Sequence, residues 1–186
     1  MDLLKKFWEE SQKKGGKDCK ISFDNYFRST SLSGEFGRIF CIGYALDDDP
    51  SNCISGDEKE ILKEFWKIAR DADLFIGHNI MDFDFKFIYK RSIILGIKPS
   101  RNLNFARYRS DPIFDTMKEW EKWSNGCVSL HKLSLLFGLA SPKEKGIDGS
   151  KVYDHFLEGK GEEIVEYCKR DVEATRAVYK KITFTL

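Results

Sequence analysis

The sequence predicts an α/β fold: a mixed central sheet of three antiparallel strands followed by parallel strands, with helices on both faces. Three observations predict it. Short apolar strand-like runs crowd residues 19 to 55. From residue 57 strand-like and helix-like patterns alternate, and the last third of the chain is helical in period. That order places helices over a sheet joined by crossover connections.

The elements follow in turn. Leu3, Leu4, Phe7 and Trp8 recur at helical spacing and "KKGGK" ends the pattern, which predicts a short amphipathic helix over 3–14. "CKISFD", 19 to 24, alternates and stops at an acid, as a strand would. After "SLSGEFG", "RIFCIGYAL" reads as a central strand, "DDDPSN" as a turn and "CIS" as a third strand. "GDEKEILKEFWKIARDA" is a helix with Asp57 as N-cap and Ile61, Leu62, Phe65, Trp66 and Ile68 on its apolar side. "DLFIGHN" is a buried strand. "DFKFIYKRSIILG" is a helix with Gly96 as C-cap. "RSDPIFDT" is a last strand leading into a helix capped by Asp115. "SLHKLSLLFGL" is a helix ended by Gly138, and "SPKEKGIDG" a polar loop. "SKVYDHFLEGK" and 161–182 are closing helices. We expect an N-terminal helical extension over 1–18 and one domain over 19–186.

Composition bounds the chemistry. With 186 residues, 41% hydrophobic, the chain can bury one substantial core. Its 31 basic and 30 acidic residues nearly cancel, so net charge alone neither implies nor excludes nucleic acid. Five cysteines are scattered without a CxxC pair, which argues against a zinc knuckle and for buried reduced thiols in a cytoplasmic protein. No apolar run approaches the ~20 residues of a membrane helix.

Three acids lie at element ends that can converge. Asp24 ends the first strand, Asp84 opens the helix after "LFIG", and Asp171 lies in the last helix. Tyr167, Asp171, Ala174 and Val178 form one helical row, bordering a sheet-facing stripe of Ile164, Cys168, Val172 and Thr175. A carboxylate there is partly desolvated and needs an arginine, an amide or a cation. Clustered carboxylates without basic partners in their motifs favour Mg²⁺ or Mn²⁺.

Two of these stretches resemble a known family. "GHNIMDFDFKFIYKR" resembles the second exonuclease motif of the DEDD superfamily, HNxxxFDxxxL, and "YCKRD" matches its third motif in the tyrosine form, YxxxD. The run from "IDGSKVYDHF" to "ATRAVY" is similar to predicted 3′–5′ exonucleases related to the proofreading domain of family B DNA polymerases. The resemblance implies a ribonuclease H-like fold, two divalent ions, and release of nucleotides from the 3′ end of single-stranded nucleic acid, DNA ahead of RNA. It implies that Asp24, Asp84 and Asp171 are the metal ligands and Tyr167 orients the attacking water. Asn79 would shape the site for the terminal nucleotide.

The first motif departs from the family pattern. "FDNYF" puts Tyr26 where Asp-x-Glu requires glutamate, and a phenol with pKa near 10 is a poor Mg²⁺ ligand at neutral pH. Glu35 is a candidate substitute. The departure keeps a second reading open, a nucleic-acid-binding module or polymerase-associated subunit that has lost turnover, with the N-terminal helix as a protein-docking piece. Among the remaining candidates, Phe83 stands as a base-stacking residue beside Phe85 and Phe87, and Tyr26 as a substrate contact. His78 reads as structural, Asp115 as a helix cap and "DDD", 47–49, as a solvated turn. The basic stretch "KPSRNLNFARYRS" is either a phosphate grip or a solvated loop.

Overall fold

The computed structural model describes residues 2–14, 21–103, 105–143, 147 and 149–185. Most of the expected helices are present. They are α1 (Asp2–Lys14), α3 (Glu58–Ala69), α4 (Asp84–Leu95), α5 (Thr116–Glu121), α6 (Leu130–Leu136), α7 (Val152–Leu157) and α8 (Gly161–Thr183). Local chemistry sets their ends. The Asp57 carboxylate accepts the N–H groups of Lys59 and Glu60 at the start of α3, and Ser129 caps α6 through Lys132 N–H. Gly96, at φ 70°, closes α4 in the left-handed conformation that a Cβ would disfavour.

The first strand is the main departure. Residues 19 and 20 lie outside the described residues, and residues 21–24 form no strand. A short helix, α2 (Phe23–Ser29), begins there and runs into a 3₁₀ turn over Thr30–Leu32. The cause is local. Ser22 is extended and its hydroxyl accepts the Asn25 N–H at 3.2 Å, forming an N-cap. Asp24 then falls in the first turn, where a carboxylate complements the helix dipole, and pairs with Arg28 one turn on at 3.4 Å. These cap and pair signals outweigh the alternation of "CKISFD".

In place of one mixed sheet, the described residues hold two sheets of two strands each. β1 (Cys41–Tyr44) pairs antiparallel with β2 (Asn52–Ser55), and β3 (Phe75–Gly77) pairs parallel with β4 (Ile113–Asp115). The 23-residue α8 packs against β1, β2 and β3 and against α5, α6 and α7, so it ties both sheets together. Its sheet-facing stripe is as expected where it meets β1: Gly43 has no side chain, and a Cβ there would lie 2.8 Å from Cys168 Sγ and 3.0 Å from Val172 Cγ2. The neighbouring row differs along its length. Asp171 is half-buried, while Ala174 and Val178 run into the core.

The larger core cluster gathers Ile61, Leu62 and Trp66 of α3, Phe85 and Ile88 of α4, and Ile113 of β4. A second surrounds Met117, Val128, Leu133 and Val178. One buried ion pair crosses the first: Arg91 Nε and Nη2 reach the two Glu58 carboxylate oxygens at 2.8 and 2.9 Å, and Glu58 also accepts the Ile39 N–H at 2.8 Å. Bidentate geometry and the extra donor satisfy charges that would otherwise be costly inside. Helix α1 packs on the body: Trp8 donates its indole N–H to Ile21 O at 3.0 Å and meets Phe23, while Phe7 meets Phe36. Among the described residues no helix is long and apolar enough to cross a membrane.

Candidate active site

The turn from β3 into α4 positions the first acid. Asn79 adopts a left-handed φ of 60°, and its N–H donates to Asp115 Oδ1 at 2.9 Å. Met81 N–H donates to Asp115 Oδ2 at 3.2 Å, and Met117 and Lys118 N–H groups donate to Asp115 Oδ1 at 3.0 and 3.3 Å. Asp115 is 1% exposed, so this one carboxylate both caps α5 and fixes the loop that launches α4. The helix-cap reading of Asp115 holds, and the sequence showed only half of its role. His78 spans the same junction, its Nδ1 3.0 Å from Thr116 Oγ1 and its Nε2 2.9 Å from Val128 O. Both ring nitrogens are thereby used, and burial pushes its pKa down, which fits a neutral structural histidine.

Asp84 emerges from this junction in the first turn of α4. Its side chain is exposed to solvent on one side, with protein atoms packed closely around the others. Desolvation, then the neighbouring Cys168, Asp115 and Asp171, push its pKa up to about 7, against the hydrogen bond from its own N–H. Solvent contact screens part of that penalty. The nearby lysines serve a different acid: Lys86 and Lys118 each reach Asp82 at 2.6 Å, and their hydrogen bonds hold the Asp82 pKa down.

Asp171 reaches the same region from α8. Burial pushes its pKa up to about 6, opposed first by a hydrogen bond from the Tyr167 hydroxyl one turn earlier. Arg170 and Lys143 also favour its charged form. Asp84 and Asp171 thus lie within electrostatic reach of each other, with Tyr167 attached to the second.

The remaining sequence-predicted residues are placed as follows. Asp24 stands apart on α2, its side chain 78% exposed and paired with Arg28, which also binds Asp154 at 2.7 Å. It is not among the charges acting on Asp84 or Asp171. Tyr26 lies on the same helix, half-buried. Glu35 is taken by Lys90 and Ser33. Phe83, 40% exposed, sits immediately before α4 with its ring 6.0 Å from Phe87. Asn79 lies in the turn itself, its side chain half-buried. The "DDD" turn is tied to α8 by Lys180 on Asp48 at 2.6 Å and by Arg176 on Asp49 O. In the basic stretch Arg101 folds inward over Phe75, whereas Arg107, Tyr108 and Arg109 are exposed.

Sequence reasoning did not foresee that Cys41, Cys53 and Cys168 bring their sulfurs within 4.8 Å of one another. A signal was available. Cys41 and Gly43 share a strand face, and Cys168 was already on the stripe assigned to the sheet. The register that adds Cys53 was not readable, because it depends on the length of the turn at 47–51.

A divalent cation fits the chemistry of the Asp84–Asp171 pair. Both are oxygen donors with raised pKa values, and among the described residues neither forms an ion pair. Asp24 as folded contributes no third ligand.

A family model described as a predicted 3′–5′ exonuclease related to the exonuclease domain of PolB matches residues 44–185, more than half of the chain. The matched span includes Asn79, Asp84, Tyr167 and Asp171 and leaves out Asp24 and Tyr26. No curated protein matches the chain at a significant level.

Proposed function

The chain belongs to the family of predicted 3′–5′ exonucleases related to the exonuclease domain of PolB, and from that premise we propose that it is a metal-dependent nuclease acting on the 3′ end of single-stranded nucleic acid. The observation that carries this reading is the proximity of Asp84 to Asp171, two acids from distant parts of the chain that form no ion pair among the described residues, the charge of Asp171 raising the cost of ionising Asp84.

In this reading Asp84 and Asp171 hold Mg²⁺ or Mn²⁺, which when bound supplies charge neutralisation at the scissile phosphate. Tyr167 holds a proton at its hydroxyl, donates it in a hydrogen bond to Asp171, and stands one helical turn away to orient a water. Asn79 and Phe83, on the turn before α4, are placed to meet the terminal nucleotide, Phe83 through its exposed ring. DNA rather than RNA, as a single strand, is the expected substrate. Asp24 would complete a second ion's shell only in a conformation in which residues 23–29 are not helical.

That last point favours a second reading. With Asp24 and Tyr26 on the exposed helix α2, the site has two acids where two-ion hydrolysis calls for more, which describes a module that binds a 3′ end without cutting it. The experiment is stepwise shortening of an end-labelled single strand with Mn²⁺, beside Asp171→Ala. Shortening that is lost in the variant supports the enzyme. Retention of the strand by the wild type without shortening supports the module. Neither shortening nor retention contradicts both.

A further inference from the structure

The three-thiol cluster uses none of the residues assigned above, although Cys168 lies within electrostatic reach of Asp84 and Asp171, and its construction is specific. Cys41 comes from β1, Cys53 from β2 and Cys168 from α8. In the antiparallel register Cys41 faces Ser55 and Gly43 faces Cys53, so the two strand cysteines are diagonal neighbours on the face that meets α8. Between them stands Gly43. The absence of a side chain there admits the Cys168 sulfur, which would lie 2.8 Å from a Cβ at that position. Hydrogen bonds from Cys41 and the Gly43 backbone favour the ionised form of Cys168, but its sharing with Cys53 and its burial outweigh them and push its pKa up to about 11. All three thiols are reduced and partly accessible.

Diagonal strand residues are roughly 7–8 Å apart, at or beyond the Cα separation a disulfide spans without backbone movement. A disulfide would also consume two sulfurs and strand the third. Three sulfurs converging from three elements suit a single ion better, because thiolates spaced around one centre are the usual donor set for soft cations. We propose that Cys41, Cys53 and Cys168 form a thiolate site for a thiophilic cation of the zinc(II) or copper(I) class. Each ligating thiol gives up its proton as the metal–sulfur bond forms. For zinc the three sulfurs leave a fourth position to solvent; for copper(I) they complete a trigonal set.

The three thiols sit in unequal surroundings. Hydrogen bonds from Cys168 and Cys41, and the charge of Lys169, hold the Cys53 pKa down to about 4. The same sharing, with burial, pushes Cys41 up. The occupied site pins α8 to the β1–β2 hairpin at Cys168, the residue after Tyr167, so loading stiffens the helix that carries Tyr167 and Asp171.

The test uses the full chain, reduced and metal-free under nitrogen, titrated separately with Zn²⁺, with Cd²⁺ as its spectroscopic stand-in, and with Cu⁺, each against a competing chelator. The expected result is one ion per chain, a thiolate-to-metal charge-transfer band and a raised melting temperature. Zinc or copper is identified by which arm resists the chelator. Cys53→Ser and Cys168→Ser, checked for folding by circular dichroism, are expected to weaken binding at least tenfold. A Cys19→Ser/Cys127→Ser double variant is expected to bind as the wild type does. Substoichiometric binding in every arm, binding unchanged in Cys53→Ser and Cys168→Ser, or loss of two thiols on exposure to air with no metal retained overturns the proposal. Asp84→Asn is expected to keep thiophilic binding, so failure here and failure of the nuclease reading are separate results.

Discussion

The Tyr167 hydroxyl donates to the Asp171 carboxylate one turn further along α8, and this bond opposes the burial that pushes the Asp171 pKa up. Tyr167→Phe keeps the ring and removes the donor. The Asp171 pKa is expected to rise above about 6, read by NMR titration of the carboxyl. Strand shortening is expected to fall about 100-fold, the size of a positioned proton-handling group. An unchanged Asp171 titration would show that the bond does not shape this acid.

Asp84 makes stability depend on pH. Its folded pKa, pushed up to about 7, lies above the ordinary aspartate value of 3.8, so the folded state binds the proton more tightly. The sign follows. Stability falls as pH rises from about 4 to about 7, and the penalty is complete above that window. Asp84→Asn removes it. Because Asp84 touches solvent, the screened gain is about 1–2 kcal/mol at pH 8, with little change near pH 4. Denaturant melts at both pH values check this, and equal effects at both would contradict it.

The Glu58–Arg91 pair is a structural liability if broken. Glu58→Ala leaves a guanidinium 7% exposed without its bidentate partner and orphans the Ile39 N–H. The expected loss is about 3 kcal/mol, read from the denaturation midpoint at constant m-value. A loss below ~1 kcal/mol would mean that solvent reaches Arg91.

Position 26 tests the first motif. Tyr26→Glu restores the acid of the Asp-x-Glu pattern in sequence, but on α2, away from Asp84 and Asp171. No gain in strand shortening is expected from this change alone. A gain would show that residues 23–29 leave the helix to join the site.

The legibility of the fold follows from where its signals are stored. Helices α3, α4, α6 and α8 could be read because periodicity, an N-cap such as Asp57 and a C-terminal glycine such as Gly96 are local features. Asp84, Tyr167 and Asp171 could be singled out because each sits at a helix start or on a helix row. Residues 21–29 could not be read correctly. A strand and a short helix compete there, and the Ser22 cap with the Asp24–Arg28 pair decides in favour of the helix. The multiple duty of Asp115, the Arg91–Glu58 pair and the meeting of three cysteines depend on tertiary register, which no local pattern encodes.

Asp84 and Asp171 are proposed to form one cation site together. The most direct measurement is the Mn²⁺ dependence of the melting temperature at pH 8, for wild type, Asp84→Asn and Asp171→Asn. A saturable rise is expected in wild type, absent in both variants and weaker at pH 6, where Asp84 holds its proton. A wild-type curve that Mn²⁺ does not move, or equal shifts in all three proteins, would contradict it.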